Sequence, residues 1–486
     1  MRIKSTNKMI SFRNGMFLLL VALFSSCSKS SGPGGNGASL TSFSFQQANN
    51  QIPVSSIATI NGSNIALFLP PGTNVNALAA SFTVTGNATV AVNGATQQTG
   101  VTKNNFSSPV TYTVTAPGGG QQVYTVSVTT GIQALDQNVS AFMSEYNVQG
   151  LAIAITLNDR LVYVNSYGKA VVENNQAVTN QSLFRISSLS KQITAAAIMR
   201  LMDEGKISLN QTVFGPGSIL GSAYGSQPYG PGITSITVDE LLHHTEGGWP
   251  DTNDDPFGYN PSFSIPQVVS WGLNNVPLLD TIPGRSFYYS HFGYVVLGRV
   301  IEKITGLSYS QAVQQLVLQP SGITDMQIAG NTLADRLPNE VEYYSPNINN
   351  PYDILISRMD AANGWVASAT DMARFLAHVD GLSSNTILTP NAVNVMATAS
   401  NANPKYACGW EVSQYALYHH GNWPGTGTSQ AITTQFGNFN YVILANTSGS
   451  DKNFSNNMDN IFWNAVTNIS SWPAYDLFQQ DGGTQK

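Results

Sequence analysis

Between residues 40 and 130 apolar and polar positions alternate in short runs, among them Thr89-Val90-Ala91-Val92, Val110-Thr111-Tyr112-Thr113-Val114 and Val123-Tyr124-Thr125-Val126-Ser127-Val128. Alternation with a period of two, broken by Gly, Asn and Pro, marks half-buried strands joined by tight turns, so residues 39–131 are predicted to form a small all-β sandwich. From Ile132 the pattern becomes mixed. The runs Leu151-Ala152-Ile153-Ala154-Ile155 and Leu161-Val162-Tyr163-Val164 flank Asn158-Asp159 and predict a β-hairpin. Leu189, Ile193, Ala196, Ala197 and Leu201 then recur at helical spacing with Gly205 as terminator, and Val296, Leu297, Val300, Ile301 and Ile304 form a second stripe ending at Gly306. Strand patterns return at Gln430 to Thr434 and Tyr441 to Ala445, before a last helix carrying Met458, Ile461, Phe462, Ala465 and Val466. Strands at both ends with helices between predict an α/β domain over 132–470, in which one antiparallel sheet, assembled from distant segments, is flanked by helices as an α+β sandwich. Residues 471–486 read as a C-terminal tail.

Composition sharpens the boundary between the two regions: from Lys29 to Asp136 the only charged residue is Lys103. The whole chain is 10% charged, with 21 Lys+Arg and a net charge of -6, which offers no basic surface and argues against a nucleic-acid partner. At the N-terminus Arg2, Lys4, Lys8 and Arg13 precede an apolar run from Met16 to Phe24 and then Ser25-Ser26-Cys27. This is a secretory signal over residues 1–27, too short to span a bilayer. The small-residue pair before Cys27 resembles the lipobox of bacterial lipoproteins, which implies lipid attachment at Cys27, a membrane partner through that anchor, and a place in the cell envelope. Residues 28–38, rich in Ser and Gly, read as a flexible tether. The β-region behind it is similar to the immunoglobulin-like modules of bacterial surface and periplasmic proteins, with the role of a spacer. Cys408 is the only other cysteine, so a lipidated Cys27 leaves no intramolecular disulfide.

Candidate chemistry centres on Ser188-Leu189-Ser190-Lys191. Residues at i and i+3 share a helix face, and a lysine kept neutral by burial can take the proton of a serine hydroxyl. The Ser-x-x-Lys pattern also occurs at Ser5, Ser26 and Ser166, but only Ser188 opens an apolar-periodic helix, whose first turn also offers free backbone N–H groups to an anion. Other chemistries fit less well. Gly427-Thr428-Ser429-Gln430-Ala431 lacks the final glycine of a nucleophile elbow, the adjacent pairs His243-His244 and His419-His420 have no metal-ligand spacing, and no glycine-rich phosphate loop follows a strand. No metal and no cofactor are expected.

Taken in order, Phe184-Arg185-Ile186-Ser187-Ser188-Leu189-Ser190-Lys191, Asp239-Glu240-Leu241-Leu242-His243-His244-Thr245, Pro283-Gly284-Arg285-Ser286-Phe287-Tyr288-Tyr289-Ser290-His291, Gly364-Trp365-Val366-Ala367-Ser368 and His419-His420-Gly421-Asn422-Trp423-Pro424-Gly425-Thr426 resemble the serine β-lactamase and penicillin-binding-protein superfamily, the class C β-lactamase-like hydrolases in particular. The resemblance spans roughly residues 135 to 470. It implies Ser188 as acylated nucleophile, Lys191 as proton acceptor, and Tyr289 as a phenol shuttling protons with a pKa lowered by nearby positive charge. It implies that His419-His420-Gly421 fills the place of the Lys-Thr-Gly strand, His419 turning a donor or partial charge toward the substrate. The backbone N–H groups of Ser188 and Asn422 would form the oxyanion hole. The third place of the Tyr-x-Asn motif holds His291, whose imidazole would hold Lys191 and titrate near neutral pH. The substrates implied are D-amino-acid peptides, small esters or β-lactam-like amides, with a peptidase or esterase favoured over a dedicated β-lactamase. A second class is a non-catalytic scaffold on the same fold.

Overall fold

A computed structural model describes residues 38–481 apart from 252–254, 259–260, 347–349, 383–384, 450 and 452, so Cys27 and the expected signal over residues 1–27 lie outside the described residues. The alternating runs of the first region form two sheets. Four strands pair in the order Ser56–Ile57, Leu40–Phe45, Leu78–Val84, Lys103–Asn104, and six in the order Thr59–Asn61, Asn64–Leu69, Gln121–Thr130, Val110–Thr115, Thr89–Val92, Ala95–Thr96. Their inward positions build one core, with Phe43 and Phe45 of the first sheet buried against Tyr112 of the second; the Phe43 and Tyr112 rings meet edge to face at 5.2 Å.

The second region is organised by a seven-stranded sheet in the order Gln176–Ala177, Arg160–Val171, Gly150–Leu157, Phe439–Ala445, Thr426–Thr433, Ala416–Trp423, Glu411–Val412. Every neighbouring pair is antiparallel, and the central pair joins Gly150–Leu157 to Phe439–Ala445 across almost the whole domain. Asn158 and Asp159 both take positive φ, 49° and 60°, as the predicted two-residue hairpin turn requires. Because successive strand residues face opposite sides, Leu151, Ile153 and Ile155 enter one core while Ala152 and Ala154 enter the other. The first core is covered by helices Gln133–Tyr146 and Phe454–Val466, the second by Ser190–Asp203, His291–Thr305 and Ala369–Val379.

The helix Ser190–Asp203 is buried without a break from Ser190 to Met199, its polar Ser190, Lys191, Gln192 and Thr194 included, as the middle helix of a layer must be. A short sheet feeds it: Phe184–Arg185 pairs with Trp365–Ala367, and the Ile186 amide donates to the Trp365 carbonyl at 3.0 Å. That pairing brings residues near 363 beside Ser188. The segment after residue 470, read from sequence as a tail, returns onto the domain. Tyr475 and Leu477 are buried, and the Leu161 amide donates to Asp476 at 3.0 Å, because the edge of the hairpin would otherwise leave both apolar surface and amide uncovered.

Gly427 lies directly under the Phe454 ring, which also packs on Phe142 and Tyr146, so this glycine sets how closely the outer helices approach the sheet. Gly427→Ala places a methyl inside that ring and is expected to lower stability by about 1–3 kcal/mol, read as a drop in midpoint on thermal or denaturant unfolding.

Candidate active site

The chain enters the site through a strained turn. Ser187 has φ 51° and, among the described residues, no hydrogen-bond partner for its buried hydroxyl, and Ser187–Leu189 form one 3₁₀ turn before the α-helix begins at Ser190. Non-glycine residues with positive φ are held there only by their surroundings. The turn presents Ser188 Oγ at the surface of a cleft, 8% exposed, while Lys191 one turn on is fully buried.

Lys191 Nζ lies 3.2 Å from Ser188 Oγ, as the helical spacing requires. Three further groups surround the amine: the Ala362 carbonyl at 3.1 Å, Asn363 Oδ1 at 3.3 Å and His291 Nδ1 at 3.2 Å. Asn363 Oδ1 also accepts from the Ser188 hydroxyl at 3.2 Å. Burial penalises the ammonium and brings the Lys191 pKa down to about 7, against an opposing pull from the Asp251 and Asp255 carboxylates. Burial thus makes the free base accessible near neutral pH.

Tyr289 donates to Ser188 Oγ at 3.0 Å. Its expected lowered pKa is corrected by the structure: desolvation in the half-buried site pushes the phenol up, outweighing its hydrogen bond to Ser188, so Tyr289 holds its proton as a neutral hydroxyl. His291 caps the same correction. Far from titrating near neutrality, it is pushed down to about 4 by burial and by the Lys191 charge, with Asp251 opposing. Its Nε2 sits 2.9 Å from Asp251 Oδ2, with the N–H directed off the line to that oxygen. It does not face solvent in the first helical turn but lies between amine and carboxylate, 2% exposed.

His419 also departs from expectation. The Ser290 amide donates to His244 Nδ1 at 3.1 Å, which assigns the proton to His244 Nε2 and directs it to the Tyr406 hydroxyl at 3.1 Å. Tyr406 in turn donates to His419 Nε2 at 3.4 Å, and His419 Nδ1 donates to the His420 carbonyl at 2.6 Å. Both nitrogens of His419 are engaged and burial lowers its pKa to about 3, so it offers a substrate neither a free donor nor a charge. His420, on the opposite face of the strand, pairs with Asp459 of the outer helix at 2.7 Å.

Gly421 is where this strand meets the nucleophile turn. A Cβ there would stand 2.9 Å from Ser187 Cβ and collide with Thr428 Oγ1, so only glycine permits the approach. The turn Pro424-Gly425 makes Trp423 and Thr426 the first pair of the hairpin. Alternation of the antiparallel ladder then directs the Asn422 amide away from the neighbouring strand, to the open edge beside Ser187–Leu189.

Sequence reading brought Ser188, Lys191, Tyr289, His291, His419, Gly421 and Asn422 to one cleft but missed Asn363, Ala362, Asp251, His244 and Tyr406. Asn363 stands directly before the quoted Gly364-Trp365 motif, a signal that was present; Tyr406 lies among residues with no pattern of their own.

A family model described as Beta-lactamase matches residues 135–464. The chain belongs to the Beta-lactamase family. A second model, SGBP, N-terminal, matches residues 40–128. Within the Beta-lactamase region the chain is 25% identical over 313 residues to Penicillin-binding protein 4* of Bacillus subtilis, covering 58% of this chain and 65% of that protein. Among solved structures it is similar to the D-amino acid amidase of Ochrobactrum anthropi (TM-score 0.58, 21% identity, 70% of this chain and 99% of that one). It is likewise similar to D-alanine carboxypeptidase AmpC of Burkholderia cenocepacia (TM-score 0.53, 19% identity, 68% and 98%). The fold is that of the Beta-lactamase-family serine hydrolases.

With Lys191 near 7, protonation below that value removes the free base beside Ser188. The rate of Ser188 modification by a fluorophosphonate is expected to rise with pH through about 7 and then level off. A rate constant that stays level from pH 5.5 to 9 would count against Lys191 as the base.

Proposed function

We propose that this chain is a serine hydrolase that forms an acyl-enzyme on Ser188, acting on small esters and on D-amino-acid amides or peptides. The observation that carries the reading is a serine hydroxyl within 3.2 Å of a fully buried lysine amine and 3.0 Å of a neutral phenol. In the proposed reaction Lys191 takes the Ser188 proton as Oγ attacks the carbonyl carbon. The oxyanion is received by the Ser188 and Asn422 amides, where a single such donor is typically worth about 10²–10³ in rate. Tyr289 gives its proton to the departing oxygen or nitrogen and is reprotonated by Lys191. Water then cleaves the ester by the reverse transfers.

The substrate preference rests on charge. The place that holds lysine in the Lys-Thr-Gly segment carries His419, kept neutral, and the carboxylate of Asp251 lies at the mouth, its side chain 40% exposed. Among the described residues His419 offers a substrate carboxylate no charge and Asp251 repels one, which favours uncharged or amine-bearing acyl donors over β-lactams. The lipobox-like Ser25-Ser26-Cys27 supports a further proposal, that the enzyme is held at the cell envelope by a lipid on Cys27 with the β-domain as spacer.

Intact-mass analysis of protein lacking residues 1–27 after fluorophosphonate exposure is expected to give one adduct that is lost in Ser188→Ala; no adduct on well-folded wild type would favour a scaffold. In turnover assays a short-chain p-nitrophenyl ester is expected to be cleaved at least tenfold faster, by kcat/KM, than a chromogenic cephalosporin. The opposite order would overturn the substrate assignment.

A further inference from the structure

The Tyr-x-Asn motif has lost its amide to His291, and the structure holds an amide elsewhere against the same two atoms. Asn363 closes the short helix Asp360–Asn363, is fully buried, and sets Oδ1 3.2 Å from Ser188 Oγ and 3.3 Å from Lys191 Nζ. Its Nδ2 is turned away, toward Met359 Sδ at 3.4 Å, which gives the oxygen the inward position. The turn is held from behind: Arg299 pairs with Asp360 at 2.6 Å, and Arg299 belongs to the helix that begins at His291. We infer that Asn363 is a further catalytic residue, its amide oxygen bonding the transferred proton at both ends of its path between Ser188 and Lys191. The inference rests on the acyl-enzyme reading above.

The argument is a count of donors. A neutral amine has two N–H groups and one lone pair. In the free enzyme the Ala362 carbonyl and His291 Nδ1 take the N–H groups, the lone pair is left toward Ser188, and the serine O–H leans on Asn363 Oδ1. When Oγ bonds to the acyl carbon its proton passes to Nζ, and the ammonium has a third N–H. Oγ is by then an ester oxygen and a weak acceptor. Asn363 Oδ1, on the same side of the amine, takes that third N–H. Without it a buried ammonium would keep one donor unpaired, a state that burial makes costly. His291 already uses Nδ1 for one N–H of the amine, and its Nε2 lies on the far side, beside Asp251, so it does not replace this acceptor.

The test measures the second-order rate of fluorophosphonate labelling of Ser188 against pH for wild type, Asn363→Gly, Asn363→Asp and the double variant Asn363→Gly/His291→Asn, each checked for folding by circular dichroism. Asn363→Gly is expected to label at least tenfold more slowly at the wild-type optimum, and the double variant to recover a tenfold or greater part of that loss by restoring an amide in the motif position. Asn363→Asp keeps the shape and the acceptor but adds a negative charge. It is expected to move the alkaline rise of the labelling rate up by at least one pH unit, a shift that a packing role would not produce and that stands even if the glycine variant does not fold. Wild-type rates and an unmoved profile in the Asn363 variants would overturn this inference while leaving Ser188 as the nucleophile. Absence of labelling in wild type would overturn both.

Discussion

A primary amine with no access to water is the constraint on which the rest of this site depends. Lys191 is carried inside by a helix that is buried on every side over its first ten residues, and the loss of hydration brings it to the pKa at which it can act as a base. The same burial obliges the protein to surround the amine with fixed acceptors, since an unpaired donor in that position is costly. Those acceptors come from two other segments, the turn Asp360–Asn363 and the helix starting at His291, and the Arg299–Asp360 pair locks the two together. The reactive geometry and the packing of the helical layer are therefore one problem with one solution.

Neutrality spreads outward from that centre. His244, His291 and His419 all lie within the field of Lys191, and burial with that charge keeps each of them uncharged. The directed chain from the Ser290 amide through His244, Tyr406 and His419 engages both ring nitrogens of each histidine and the phenol proton between them. Such a network positions the edge strand without adding charge, and the carboxylate of Asp251 stands beyond it, its side chain 40% exposed. The strand itself reaches the nucleophile turn because Gly421 has no side chain, and Ser187 is held in a left-handed conformation against it.

Much of this was legible along the chain. The alternation of the β-region, the hairpin at Asn158-Asp159, the helix after Ser188 and its stop at Gly205 all rest on local periodicity and turn chemistry, which act within a few residues and leave their mark in order. The ordered motifs likewise indicated which serine, lysine and tyrosine would meet. Asn363 was not recognised because its meeting with Ser188 depends on Phe184–Arg185 pairing with Trp365–Ala367, a contact between segments some 180 positions apart. The docking of residues after 470 left no pattern along the chain, because their apolar residues are few and irregularly spaced and only the uncovered hairpin edge gives them a place.

What the sequence by itself determined is the identity of the elements and of the reactive pair, because strand, helix and turn preferences and an i, i+3 contact are local properties of the chain. What only the tertiary structure decided is the charge state of that pair and its neighbours. Whether Tyr289 gives up its proton, whether His291 titrates, and whether His419 has a donor to offer all depend on solvent exclusion and on partners from distant segments. Folding sets these quantities, through the burial of charge in a medium that solvates it poorly.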